Sequence, residues 1–210
     1  MAATALRSAA AEPAADPFDR FAGACSIVAA ALGVLYAVAF LVLRSQALSG
    51  LCLALGALLT TAALTALYAR LAPAGGALAL WGLLLAGAGA VGAIAHGGYD
   101  LANALHPPGV TNADLPSAVD PRGALTFGLS GLGLACLAVL MARSRWFPRG
   151  LAWLGALSAA LSAALYLGRL VVLDPASPPI ALPALAEGFV VNPLWYAWLG
   201  VALWRAAPVR

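Results

Sequence analysis

Apolar residues run along this chain in long unbroken stretches, without the period-2 alternation that a half-buried strand or a membrane barrel requires. A bilayer's hydrocarbon core is ~30 Å thick, and a helix crosses it in about 20 residues. Six stretches meet that length, over 21–43, 47–69, 75–105, 124–142, 150–173 and 184–204. The third is apolar to Ile94 and then continues through polar residues to Leu105. Prolines mark the breaks at Pro73, Pro107, Pro108, Pro121, Pro148, Pro175, Pro178 and Pro179. Pro193 falls inside the sixth stretch, where it removes a main-chain donor and predicts a kink. The expected fold is an all-α, polytopic transmembrane bundle of about six spans. It covers 21–206, between a cytoplasmic N-terminal tail (1–20) and a short C-terminal tail (207–210).

Composition agrees with a lipid-facing surface. Of the 210 residues, 63% are hydrophobic and 9% charged, against roughly 25% charged in soluble domains. Arginines set the orientation. Arg7, Arg20, Arg70, Arg143, Arg145, Arg149, Arg205 and Arg210 fall on one side; Arg44, Arg122 and Arg169 fall on or near the other. Both termini are therefore expected in the cytoplasm. Trp81, Trp146, Trp153 and Trp204 lie near the inner helix ends, as an aromatic belt would. Scattered single arginines give no nucleic-acid patch, so the expected partners are membrane lipids and other membrane subunits. Cys25, Cys52 and Cys136 sit singly in apolar runs, which argues against a disulfide framework or a zinc site.

Beyond Glu12, Asp16 and Asp19 of the N-terminal segment, every acid and both histidines fall on the outer side. Gly82, Ala86, Gly89 and Ala93 form a small-residue stripe on the third stretch, suited to close helix packing. The same face continues into His96, Tyr99, Asp100 and Asn103 at spacings of three or four, with His96 and Asp100 placed to pair. Ser158, Ser162, Tyr166 and Arg169 follow one side of the fifth stretch, and Glu187 and Asn192 open the sixth. Arg169 either snorkels to the interface or pairs with Asp100 or Glu187. The candidate pocket therefore comprises His96, Tyr99, Asp100, Asn103, Ser162, Tyr166, Arg169, Glu187 and Asn192, opening outward between spans three, five and six. The same residues also suit an interhelical network that locks the bundle. His96, His106 and Asp114 lack any spacing that fixes a metal, and the chain carries no HExxH, GxSxG or phosphate-loop motif. No cofactor, metal or catalytic residue is expected.

Leu48-Ser49-Gly50-Leu51-Cys52-Leu53-Ala54 is echoed by Leu129-Ser130-Gly131-Leu132-Gly133-Leu134-Ala135, which suggests duplicated hairpins. The segment Met141-Ala142-Arg143-Ser144-Arg145-Trp146-Phe147-Pro148-Arg149-Gly150-Leu151-Ala152-Trp153-Leu154-Gly155 follows Pro121-Arg122-Gly123-Ala124-Leu125-Thr126-Phe127 and precedes Leu182-Pro183 and Glu187. This C-terminal half resembles a group of small bacterial multi-pass proteins catalogued as a domain of unknown function. The resemblance implies a six-helix protein of the bacterial inner membrane and carries over no catalytic residue. The sequence expectation is an accessory subunit of a membrane complex or a binder of a lipid-like ligand. A small-solute or proton-coupled transporter is the alternative, and a membrane enzyme with a His96–Asp100 acid–base pair is the third reading.

Overall fold

The computed structural model describes residues 17–107, 122–174 and 176–205, which are helical nearly throughout. Helix α1 is Pro17–Ala37 and runs into a π-helical turn at Val38–Val42. Helix α2 is Gln46–Leu105. A π-helical entry, Ala124–Leu129, leads into α3, Ser130–Arg143, which is followed by α4, Arg149–Val171. Helix α5, Pro178–Ala186, continues through a third π-helical turn, Glu187–Val191, into α6, Asn192–Arg205. Among the described residues, four helical segments are long and apolar enough to cross a membrane: Pro17–Val42, Gln46–Leu105, Ala124–Arg143 and Arg149–Val171.

The 60 residues of α2 would measure ~90 Å if straight. They fold back instead. Gly75 leaves helical geometry (φ 169°, ψ 74°), directly after Pro73 has removed one main-chain donor. The result is two antiparallel arms, 46–74 and 76–105. The fold-back is visible in side-by-side contacts: Gly50 meets Gly97, and Thr61 and Leu64 share a groove with Leu83 and Gly87. Gly50 and Gly97 mark a close approach of the two arms. A Cβ on Gly50 would stand 2.7 Å from the Gly97 carbonyl oxygen, so any side chain there forces the arms apart.

The other helices close a ring. Helix α1 lies between the first arm of α2, where Leu32 meets Gly56, and α6, where a Cβ on Gly23 would stand 2.7 Å from the Gly200 oxygen. The second arm packs on α3 through the stripe the sequence singles out. Gly82 faces Leu137, Ala86 faces Gly133, and Gly89 faces Ser130; Ala93 is buried on the same helix. Gly131 of α3 meets Ala159 and Ser162 of α4, and Gly155 of α4 receives the Trp195 indole of α6. The two glycines of the sequence echo, Gly50 and Gly131, thus both sit where a neighbouring helix approaches its backbone.

One apolar core fills the Arg70 half of the ring. It joins Leu64, Leu67 and Leu71 to Leu137, Leu140, Met141, Leu151, Trp195, Leu199 and Leu203. Much of the outer surface is apolar as well, with Trp153 75% and Val171 83% exposed.

Element boundaries differ from the sequence expectation at two places. Pro17–Arg20, expected in the tail, form the first turn of α1, and Asp19 is buried there. The final helical rod starts at Pro178 rather than near Ala184. A widened π turn, Glu187–Val191, lies just before Pro193. The proline ring would crowd the carbonyl of the preceding turn, and the wider turn relieves that contact. Residues 1–16, 108–121 and 206–210, including Asp114 and Asp120, lie outside the described residues.

Candidate functional site

The structure divides the expected pocket into two polar centres. The first lies at the end of the bundle opposite Arg70. His96 Nε2 is 3.5 Å from Asp100 Oδ2, one helical turn away, as the i,i+4 spacing predicts. Arg122, just ahead of the π-helical entry to α3, reaches the other carboxylate oxygen, Oδ1, also at 3.5 Å. Its guanidinium lies 4.3 Å from the centre of the Tyr99 ring. All three charged side chains are partly exposed, at 18–26%. Asn103 lies one turn further along the same arm and is half-buried.

The second centre is buried. Glu187, 5% exposed, opens the π-helical turn that precedes α6. Its Oε1 accepts hydrogen bonds from Ser158 Oγ at 2.5 Å, Ser162 Oγ at 3.3 Å and Asn192 Nδ2 at 3.3 Å. Its Oε2 is buried and has no hydrogen-bond partner. Two serines one turn apart on α4 and an asparagine one turn along on the Glu187 strand of helix thus converge on a single carboxylate oxygen. They do so because α4 presents Ser158 and Ser162 on one face, and because the π turn rotates the start of α6 relative to the helix that follows it.

Depth distinguishes the two centres. Ser158 lies nine residues from the start of α4 and thirteen from its end, or ~13 Å and ~20 Å along the axis. Glu187 is nine residues past Pro178, again ~13 Å from that end of its rod. The carboxyl is therefore near mid-height in the bundle, directly above the Trp195 end of the apolar core.

The remaining candidates lie apart from this carboxyl. Arg169 donates from Nη1 to the carbonyl oxygens of Val172, at 2.9 Å, and of Leu173, closing the C-terminal end of α4. It serves that helix end rather than Asp100 or Glu187. Tyr166 lays its ring on Gly128, at the α3–α4 contact.

Sequence reasoning leaves Ser158 and Arg122 outside the candidate set, although both contact its central acids. It also leaves out a third buried polar contact, at the opposite end. Arg70 Nη2 is 2.5 Å from Asp19 Oδ2, with the side chains 1% and 6% exposed. The Arg70 guanidinium lies 5.3 Å from the Trp146 ring centre, so it ties α1, the end of the first α2 arm and the α3–α4 connection together. A signal for this contact was present, since Asp19 is an acid on the side of the chain where arginines gather.

No group of three metal-ligating side chains occurs among the described residues. Comparison with protein-family models, with curated proteins and with solved structures finds no match to the chain. The assignment of chemistry therefore rests on the geometry above.

The geometry makes a specific statement about partners. Asp100 and Arg122 act on each other, and Asp100 and Arg169 do not. In a double-mutant cycle, Asp100→Asn with Arg122→Leu shows a coupling of about 0.5–1 kcal/mol in thermal unfolding. The effects of Asp100→Asn and Arg169→Leu add to within ~0.5 kcal/mol. Additivity in the first pair would remove the Asp100–Arg122 contact from the account.

Proposed function

We propose that this chain is a six-span protein of the bacterial inner membrane, with both termini cytoplasmic, and that it is a small-solute carrier coupled to a cation held at Glu187. The observation that carries this reading is a buried carboxylate at mid-height with one oxygen unpartnered. An ionisable side chain that deep in an apolar bundle is unfavourable, and proteins keep such groups where an ion or proton must bind. Carriers place their sites near the bilayer midplane on helices whose regular hydrogen bonding is interrupted. Glu187 lies on such a helix, between Pro183 and Pro193. Six spans follow if the two arms of α2 and the Pro178–Arg205 rod each cross the membrane, and the arginine distribution supports the orientation.

In this reading the Asp100 cluster and the Asp19–Arg70 contact close the two ends of the bundle, and the carboxyl lies between them. Purified protein in liposomes, given a mixture of small solutes and an imposed proton or sodium gradient, concentrates at least one solute above protein-free vesicles when the contents are read by mass spectrometry. Vesicle contents identical to protein-free controls under both gradients would overturn the carrier reading.

A second reading, the accessory subunit, has one observation in its favour. Gly76, Gly87 and Gly98 have nothing near the position a Cβ would take. Their spacing of eleven residues, three helical turns, lines them up along one side of the second α2 arm, with Gly87 in the open groove shared with Thr61 and Leu64 of the first arm. A companion helix would seat there. Mild extraction from the native membrane followed by identification of co-purifying chains tests it, and a protein that purifies alone sinks it.

A further inference from the structure

Which cation Glu187 takes can be read from the groups around it, an inference that rests on the carrier reading. We propose that the ion is a proton, and that it binds at Glu187 Oε2. Every group that contacts the carboxyl does so as a donor to Oε1. The hydroxyls of Ser158 and Ser162 and the Nδ2 amide of Asn192 all donate hydrogen bonds to it. A hard metal cation needs the opposite arrangement, several oxygen lone pairs converging on one point. Three neutral donors on one oxygen stabilise a carboxylate in an apolar interior without any fixed cation. They leave Oε2 bare, so it can gain or lose a proton while the Oε1 hydrogen bonds stay in place.

No neighbouring charge answers Glu187 permanently. From α4 the facing groups are Ser158 and Ser162, while Arg169 of that helix is engaged with the Val172 and Leu173 carbonyls. From α1, Ala37 packs on Gly188 and Gly33 on Pro193. Tyr36 of α1 senses Asp100. From α6, Tyr196 interacts with Glu187, and its hydroxyl meets Thr60 of α2. A fixed lysine or arginine at this point would hold the carboxylate charged. Among the described residues none contacts Glu187, which lets the group cycle between a charged and a neutral form.

The step is a simple transfer. A proton from water on one side forms the Oε2–H bond and gives a neutral carboxylic acid. The same bond breaks when the proton is released to water on the other side. Pro193 withholds a main-chain N–H from the carbonyls of the widened turn, which leaves acceptor capacity on the segment that carries Glu187. Neutralising the carboxyl removes the main obstacle to moving this segment through an apolar environment.

The test is infrared difference spectroscopy of the full chain in liposomes, titrated between about pH 4 and about pH 9, the range in which exposed and buried carboxyls titrate. The expected result is a protonated-carboxyl C=O band that grows as pH falls, shifts in D2O and is lost in Glu187→Gln. In Ser158→Ala the band persists but moves to higher frequency, because the carbonyl oxygen has lost its shortest hydrogen bond. That second variant keeps the test valid if the first does not fold. A band that sodium chloride suppresses at fixed pH and ionic strength, relative to choline chloride, overturns the proton assignment and leaves a sodium-coupled carrier standing. Absence of any band sensitive to Glu187→Gln or Ser158→Ala overturns the site itself. Transport is not read in this experiment, so failure of the uptake assay alone would leave the proton site intact and remove only the carrier.

Discussion

Asp19→Ala unfolds the protein more easily by about 3–5 kcal/mol, the largest stability loss expected of any single substitution here. The reason is the state in which it leaves Arg70. The guanidinium is 1% exposed and meets the Asp19 carboxylate at 2.5 Å, packed over Trp146. Without the acid, the buried guanidinium loses the carboxylate it meets at 2.5 Å and cannot reach water without dismantling the junction of three chain segments. Arg70→Met alone is also destabilising, since it leaves the Asp19 carboxylate in the same apolar surroundings. Asp19→Leu combined with Arg70→Met removes both charges together and returns stability to within about 1 kcal/mol of the native chain, because two well-packed apolar side chains avoid the desolvation penalty of both ions. Unfolding in detergent, followed by circular dichroism and by tryptophan fluorescence, measures all three variants. If the double variant is as unstable as Asp19→Ala, packing and not charge accounts for the effect.

Glu187→Gln abolishes gradient-driven uptake while leaving the bundle assembled. Glutamine matches the shape of glutamate and keeps a carbonyl oxygen for Ser158, Ser162 and Asn192, so the α4–α6 contact survives. What it removes is the ability to take up and release a charge. Uptake is therefore expected to fall to the level of protein-free vesicles, with thermal stability changed by no more than about 1 kcal/mol. Ser158→Ala is the graded counterpart. Losing one hydrogen bond to a charged group is worth about 1.5–3 kcal/mol, which disfavours the charged form and perturbs the cycle without stopping it. Equal uptake by the native chain and by Glu187→Gln would contradict a role for this carboxyl.

The sequence makes the helices legible because their signal is long and one-dimensional. Apolar runs of sufficient length read directly as helical rods, and Pro73 with Gly75 and Gly76 places the α2 hairpin within a few residues. The His96–Asp100 contact is also legible, since residues four apart on a helix must share a face. Contacts between helices are a different matter. A helix apolar all round gives no moment by which to infer its rotation. The sequence therefore puts Ser162, Glu187 and Asn192 among the candidates but cannot join Glu187 to Ser158. The same uncertainty of rotation leaves Arg169 as a plausible partner for either acid, although its guanidinium turns back to its own helix end. Asp19 escapes notice for another reason. Polar residues before an apolar run read as a tail, and only the position of Arg70 across the bundle reveals a buried partner. In the structure the small-residue stripe lies against α3.

The central claim is that a carboxyl at mid-height opens in turn to both sides of the membrane, and cysteine accessibility tests it most directly. Ser162, 7% exposed and in contact with Glu187, is replaced by Cys in a chain whose Cys25, Cys52 and Cys136 are changed to Ala. A membrane-impermeant thiol reagent is then supplied outside the vesicles or trapped within them, over a range of pH. The account predicts labelling from both sides, with the balance between them shifting as Glu187 gains or loses its proton. Labelling from one side alone at every pH, or from neither, would contradict it.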